Sequence, residues 1–78
     1  MPKLTPISAK KLIKILGRLG FEKMRSRGSH HFFQHHSSKL TATIPMHGNE
    51  DVSIGTLRAI LNDIEISVSE YEKMRTEK

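Results

Sequence analysis

The 78-residue chain contains no cysteine, no tryptophan and only four aromatic residues, three Phe and one Tyr. Without cysteine, neither a disulfide framework nor a thiolate metal site is available, so a small apolar core must hold the fold together. No apolar run approaches the roughly 18–20 residues of a membrane-spanning helix, and lysines interrupt the only early apolar segment, which is not typical of a signal peptide. We therefore expect one cytoplasmic domain that covers residues 1–78.

Acidic residues are missing from residues 23–49, and charge is distributed unevenly along the chain. Nine of the 13 Lys and Arg residues, but only one of the eight acidic residues (Glu22), lie within residues 1–40. Lys10 and Lys11 stand where a helix is expected to begin, and cations are mildly unfavourable at a helix N-terminus. Helix stability therefore does not explain them. The basic half fits either a solvated surface or an anionic partner.

Three serines, Ser8, Ser53 and Ser67, have the sequence surroundings of helix N-caps. Each is flanked by apolar residues in the arrangement of a hydrophobic staple, and Ser67 also forms a capping box with Glu70. Apolar residues recur with helical spacing after each serine, and Gly20 suits the left-handed position that ends a helix. The predicted helices cover residues 9–19, 54–61 and 68–76.

Three strands are predicted between the first two helices. Residues 40–44 alternate apolar residues with Thr, as a half-buried strand does, and the short intervening loops favour an antiparallel meander. The order α-β-β-β-α, with one more helix appended, predicts an α+β fold. In it, helices cover one face of a three-stranded antiparallel sheet and leave the other face open for a ligand. The predicted strands cover residues 21–25, 30–35 and 40–44, and the predicted first turn is 26–28.

The second predicted strand carries histidines on both of its faces. Alternation puts His30 and Phe32 on one face and His31, Phe33 and His35 on the other, but periodicity does not say which face meets the helices. A histidine can transfer protons near neutral pH, and the cations of the preceding segment attract phosphate. This combination suggests chemistry on a nucleic acid rather than on a small metabolite.

Metal binding and acyl transfer fit the sequence less well. His31 and His35 share a strand face but lie roughly 13 Å apart at about 3.3 Å per residue, and no helix carries a histidine pair. Ser29 and His30 are neighbours on a strand, so their side chains diverge, and no Gly-x-Ser-x-Gly elbow or phosphate loop is present. We expect no metal site and no cofactor.

Cleavage of RNA requires fewer catalytic groups than acyl transfer does. The ribose 2′-OH is an internal nucleophile, so a site needs a base, cations to hold the phosphate, and an acid or water for the leaving oxygen. One histidine among Lys and Arg can supply a useful part of this without a metal. From the residues alone three interpretations stay open: RNA cleavage, histidines that only fill a strand, and a module that binds RNA or DNA without cutting it.

Three ordered segments resemble a known family. They are Gly28-Ser29-His30-His31 followed by Phe33, then Ile44-Pro45-Met46-His47-Gly48, then Ile54-Gly55-Thr56-Leu57-Arg58-Ala59-Ile60-Leu61. From about Ser8 to Ile66, this set closely resembles the HicA toxins of HicA–HicB toxin–antitoxin pairs. The resemblance implies a fold similar to the double-stranded-RNA-binding domain. It also implies a type II toxin that is an endoribonuclease, cleaves mRNA and is held inactive by a HicB-like antitoxin. Because the residues offer no metal site, we expect the cleavage to be metal-independent.

The resemblance also implies roles for individual residues. It puts the catalytic histidine directly after Gly28-Ser29, at His30, with His31 facing the helices beside Phe33. Because the histidine is doubled, His31 stays the alternative catalytic residue. The candidates to bind RNA are Arg25, Arg27, Gly28, Ser29 and Lys39, with Lys10 and Lys11 as outlying contacts.

Two further side chains and one helix have less definite roles. Phe32 can stack on a base, pack in the core or face the antitoxin. His47 matches a histidine sometimes found after the third strand of the family, and we expect it to be a loop residue. The C-terminal helix from Val68 to Thr76 extends beyond the shortest members of the family and receives no role.

Overall fold

The computed structural model describes residues 4–46 and 50–76 and confirms the predicted α+β fold. In chain order the elements are β1 (Ile7–Ser8), α1 (Ala9–Leu19), β2 (Phe21–Arg27), β3 (His30–His35), β4 (Thr41–Pro45), β5 (Asp51–Val52), α2 (Ile54–Asp63) and α3 (Val68–Thr76). Strands β2, β3 and β4 form an antiparallel sheet in sequence order, and β1 pairs with β5 in a separate antiparallel ladder. That ladder was not predicted, since two-residue strands are too short to show alternation.

Helix α1 begins and ends where its capping residues predict. The Ser8 hydroxyl accepts a hydrogen bond from the backbone N–H of Lys11 at 3.3 Å. At the other end, Gly20 has φ 99°, and its N–H donates to the carbonyls of Gly17 and Leu16. A side chain at this φ is strained, so glycine ends the helix and turns the chain directly into β2.

The first hairpin differs from its prediction by two residues. Strand β2 continues to Arg27, which pairs with His30, and the turn is Gly28-Ser29 rather than residues 26–28. Two-residue hairpin turns match the twist of the strands when a residue with positive φ is available, and Gly28 has φ 60°. Gly28 is therefore the first residue of the turn and not, as predicted, its last. Helix α2 is also two residues longer than predicted.

The hydrophobic core lies between one face of the sheet and the helices. Phe33 of β3 and Ile44 of β4 are buried on this face, and Leu12 and Leu16 of α1 and Leu57 of α2 belong to the same core. The other face of the sheet carries exposed or half-buried side chains. This confirms the predicted arrangement, in which the described helices cover one face of the sheet.

Helix α3 is attached to the segment that precedes β1. The Ser67 hydroxyl caps it by accepting from the Glu70 N–H at 3.1 Å. Tyr71 is fully buried, and its hydroxyl donates to the carbonyl of Thr5. The carboxylate of Glu72 accepts from the N–H of Thr5 at 2.9 Å and from its hydroxyl at 3.0 Å. Among the described helices, none is long and apolar enough to cross a membrane.

This attachment changes the pKa of both α3 side chains. Burial, followed by the nearby Glu72 charge, raises the pKa of Tyr71 to about 12. For Glu72, burial acts to raise the pKa, but the hydrogen bonds from Arg75 and Thr5 outweigh it and leave the pKa below its ordinary value. Folding therefore favours a neutral Tyr71 and an ionised Glu72.

Candidate active site

His30 is the first residue of β3, directly after the hairpin turn. Its side chain is exposed, and its imidazole makes no hydrogen bond or ion pair with any residue of the described ranges. The backbone around it is fixed, because Arg27 pairs with it on one side and Pro45 on the other. The carbonyl of Ser29 also accepts from the N–H of Met46 at 2.6 Å. The strand thus presents an accessible imidazole from a rigid position.

The two adjacent histidines point to opposite faces of the sheet. Phe33 is 5% exposed and belongs to the core, so His31, which shares its face, points towards the helices and is half-buried. His30 and Phe32 point to the open face. The structure therefore assigns the faces that periodicity left undetermined.

A β-bulge in β2 brings two arginines onto the open face. Up to Lys23 the strand pairs in one register, but after Met24 the register shifts by one residue. The shift places Arg25 opposite Phe32 and Arg27 opposite His30. Without it, simple alternation would put both arginines on the helix face. The bulge therefore builds two cross-strand pairs, each of which has one arginine.

The first of these pairs, Arg25 with Phe32, is a direct contact. The guanidinium carbon of Arg25 lies 5.0 Å from the centre of the Phe32 ring, which is cation–π geometry. Phe32 is half-buried, so part of this ring faces solvent. The pair borders a shallow depression of about 480 Å³ on the open face. Its other lining residues are Met24, Phe33, Gln34, Thr41, Ala42 and Thr43.

The structure gathers most, but not all, of the predicted RNA-binding residues. Arg25, Arg27, Gly28 and Ser29 lie on β2 or in the turn that leads to His30. Lys39 does not join them, because it follows the opposite end of β3, about 17 Å along the strand from His30. There its ammonium donates to the carbonyl of His36 at 3.1 Å.

His35 has a structural environment quite unlike that of His30. Its Nε2–H donates to the carbonyl of Leu19 at 2.9 Å, at the end of α1. Its Nδ1 accepts from the N–H groups of Ser37 and Ser38 at 3.2 and 3.1 Å. These bonds require the neutral tautomer with its proton on Nε2. The imidazole therefore joins the end of the helix to the β3–β4 turn.

Comparison with protein-family models places the chain in one family. A family model described as the HicA toxin of bacterial toxin-antitoxin matches residues 9–66, about three quarters of the chain. The chain belongs to the HicA toxin family. Membership makes it a toxin of the toxin–antitoxin type and implies an antitoxin as partner. None of the curated proteins matches it significantly.

The part matched as HicA toxin contains both arginine pairs of the open face and ends before α3. Helix α3 contributes to a second cationic surface that sequence reasoning did not find, a groove of about 420 Å³ between α1 and α3. Lys11 and Lys14 line it from α1, and Arg75 lines it from α3. Lys11 and Lys14 are three residues apart on α1, so helical spacing puts them on one face, but only tertiary packing brings Arg75 to them. The groove lies on the helix side, away from His30.

His47 of this HicA toxin lies outside the described residues, as does Gly48 of the same motif. Within residues 4–46 and 50–76, no three His, Asp or Glu side chains come close enough together to hold a metal ion.

Proposed function

We propose that this HicA-family toxin is an endoribonuclease that cleaves mRNA beside His30 without a metal ion. The observation that carries the proposal is the pairing of an exposed imidazole, held at the start of β3, with Arg27 directly across the strand. The other histidines of β3 differ: His31 faces the helices, and both ring nitrogens of His35 are engaged in structural hydrogen bonds.

The chemistry follows from the groups that this face offers. His30 removes the proton from the ribose 2′-OH, and the 2′ oxygen attacks the adjacent phosphorus. The bond between phosphorus and the 5′ oxygen breaks, leaving a 2′,3′-cyclic phosphate on one fragment. The 5′ oxygen takes a proton from water or from a second group and leaves as a hydroxyl. If His30 acts instead on the leaving oxygen, the same bonds form and break.

The arginines supply positive charge next to this reaction. Arg27 pairs with His30 across the hairpin, and its guanidinium can bind phosphate oxygens in a bidentate manner. A guanidinium bound to the phosphate would stabilise the charge that develops there in the transition state.

Purified toxin, labelled RNA and EDTA test the proposal. We expect cleavage to persist with EDTA and to yield fragments that end in 2′,3′-cyclic phosphate and 5′-hydroxyl. An RNA with a 2′-deoxy residue at the cleaved position should stay intact, since it lacks the nucleophile. Intact RNA that still binds would favour a non-catalytic RNA- or DNA-binding module. Cleavage that disappears on chelation would favour a metal-dependent nuclease.

We also propose that a HicB-like antitoxin inhibits by covering the open face of the sheet. Arg25 and Arg27 make that face cationic, so an antitoxin with acidic side chains would associate faster at low salt. Association measured by stopped flow between about 50 and 500 mM salt tests this. A rate that does not change with salt would contradict an electrostatic interface.

A further inference from the structure

Phe32 is an aromatic residue on a face of the sheet that no described helix covers. The nearest core aromatic, Phe33, shows where the strand buries a ring, and Phe32 points the opposite way. A core role for Phe32 is therefore excluded. The guanidinium of Arg25 lies over the ring at 5.0 Å, so the pair presents an apolar surface with positive charge beside it.

This surface lies one step along the strand from the proposed catalytic residue. His30 and Phe32 are two residues apart on the same face, which corresponds to about 7 Å. Their partners on β2, Arg27 and Arg25, are likewise two residues apart. The open face thus has two adjacent pairs, one with an imidazole and one with an aromatic ring. A phosphate bound at the His30–Arg27 pair would place a neighbouring nucleobase at the Phe32–Arg25 pair.

The depression around Phe32 also offers groups for the edge of a base. Thr43 lies directly across from Phe32 on β4, and Gln34 and Thr41 form the next cross-strand pair. All three line the depression, and their hydroxyl and amide groups can donate and accept hydrogen bonds. An aromatic platform bordered by such groups is how proteins bind unstacked bases of single-stranded RNA.

We propose that the Phe32–Arg25 pair is a nucleobase-binding subsite, at which an unpaired base next to the cleaved bond stacks. The proposal rests on the proposed nuclease function, since it assigns the base that accompanies the phosphate at His30. It also defines the substrate class as single-stranded RNA, because a base within a duplex keeps both faces stacked on its neighbours. A fold similar to a double-stranded-RNA-binding domain would by itself suggest a double-stranded substrate.

The test measures binding in an His30→Ala background, so that RNA is not consumed. The probes are a single-stranded RNA that contains the fluorescent base 2-aminopurine and a duplex of the same sequence. Phe32→Leu keeps an apolar side chain but removes the aromatic face. We expect it to weaken single-strand binding about 5- to 100-fold, with duplex binding nearly unchanged. It should also remove the quenching of 2-aminopurine that stacking produces.

Two controls separate stacking from loss of structure. Phe32→Tyr keeps the ring and should bind single strands as the background protein does. Lys14→Ala removes a cation from the helix side and should leave the 2-aminopurine signal unchanged. Equal weakening of single-strand and duplex binding by Phe32→Leu would overturn the subsite, as would no weakening at all. Weakening of antitoxin binding alone would assign Phe32 to the protein interface and overturn it too.

The subsite and the nuclease proposal fail in different ways. If the wild-type toxin cuts no RNA but Phe32→Leu still selectively weakens single-strand binding, the subsite stands and the nuclease proposal fails. If the toxin cuts RNA and Phe32→Leu changes neither binding nor the rate of cleavage, the nuclease proposal stands and the subsite fails.

Discussion

His35 is predicted to be a residue of stability and not of catalysis, and the structure allows the size of its contribution to be worked out. The substitution His35→Ala removes the hydrogen bond to the Leu19 carbonyl and the shared acceptor of the Ser37 and Ser38 N–H groups. It also removes an edge-on contact with the ring of Phe21, whose centre lies 5.1 Å away.

These losses add up to a measurable destabilisation. Two hydrogen-bond contributions of about 1 kcal/mol each and an aromatic contact of about 0.5–1.5 kcal/mol give about 2–4 kcal/mol. His35 is only half-buried, so water can replace part of what is lost, and about 2–3 kcal/mol is expected. For a domain of this size that corresponds to a fall in Tm of roughly 10–20 °C.

Thermal and urea denaturation followed by circular dichroism measure this effect. His36→Ala is the matched control, since His36 is exposed and its ring stacks on that of His35, with ring centres 4.7 Å apart. It should change the free energy of unfolding by no more than about 0.5 kcal/mol. Below its Tm, the His35→Ala protein should cut RNA at the wild-type rate, because His35 is at the far end of β3 from His30. A Tm within 3 °C of the wild-type value, which corresponds to a change on the order of 0.5 kcal/mol in the free energy of unfolding, would refute the structural role of His35.

Three further predictions concern stability. Gly20→Ala should lower the free energy of unfolding by about 1–3 kcal/mol. The backbone of Gly20 is in the left-handed region, which strains a residue with a side chain, and an added Cβ would lie 2.9 Å from Nε2 of His35. At Gly17 an added Cβ would meet no described atom within 4 Å outside its chain neighbours and the backbone of its own helix, so Gly17→Ala should instead raise the free energy of unfolding by about 0.5–1 kcal/mol. Urea denaturation of both variants compares them. The free energy of unfolding should fall as the pH rises from 10.0, the ordinary pKa of tyrosine, through about 12, because folding raises the pKa of Tyr71. A Tyr71→Phe protein should not show this decrease. In acid the stabilisation from Glu72 should be present above pH 4.5 and lost as the pH falls through its lowered pKa, and a Glu72→Gln protein with the same acid unfolding profile would contradict this.

The helices could be predicted closely from sequence because their signals are local. Ser8 and Gly20 bound α1 through hydrogen bonds to backbone groups within one turn, and these bonds need no tertiary structure. The same holds for Ser67 and Glu70 at the start of α3. The end of α2 lacked such a residue, and there the prediction stopped two residues early.

The candidate site was only partly predictable because its geometry depends on a register shift. The position of His30 at the start of β3 followed from local sequence. The end of β2 was predicted two residues early, and strand alternation alone gave no reason for Arg25 and Arg27 to share a face with His30 and Phe32. The bulge at Met24 creates that arrangement. Tertiary packing likewise produces the short β1–β5 ladder and brings Arg75 close to α1. Neither feature has a periodic pattern in the sequence.

The most direct test of the account compares the RNA-cleaving rates of His30→Ala and His31→Ala toxins. His30 is exposed, so its replacement should leave the free energy of unfolding within about 0.5 kcal/mol of wild type and lower the rate by about 10²–10⁴-fold. His31→Ala should lose stability and, below its Tm, retain the rate. A folded His30→Ala protein that cuts RNA as fast as wild type would contradict the account, and loss of cleavage in a folded His31→Ala protein would transfer the catalytic role to the neighbouring histidine.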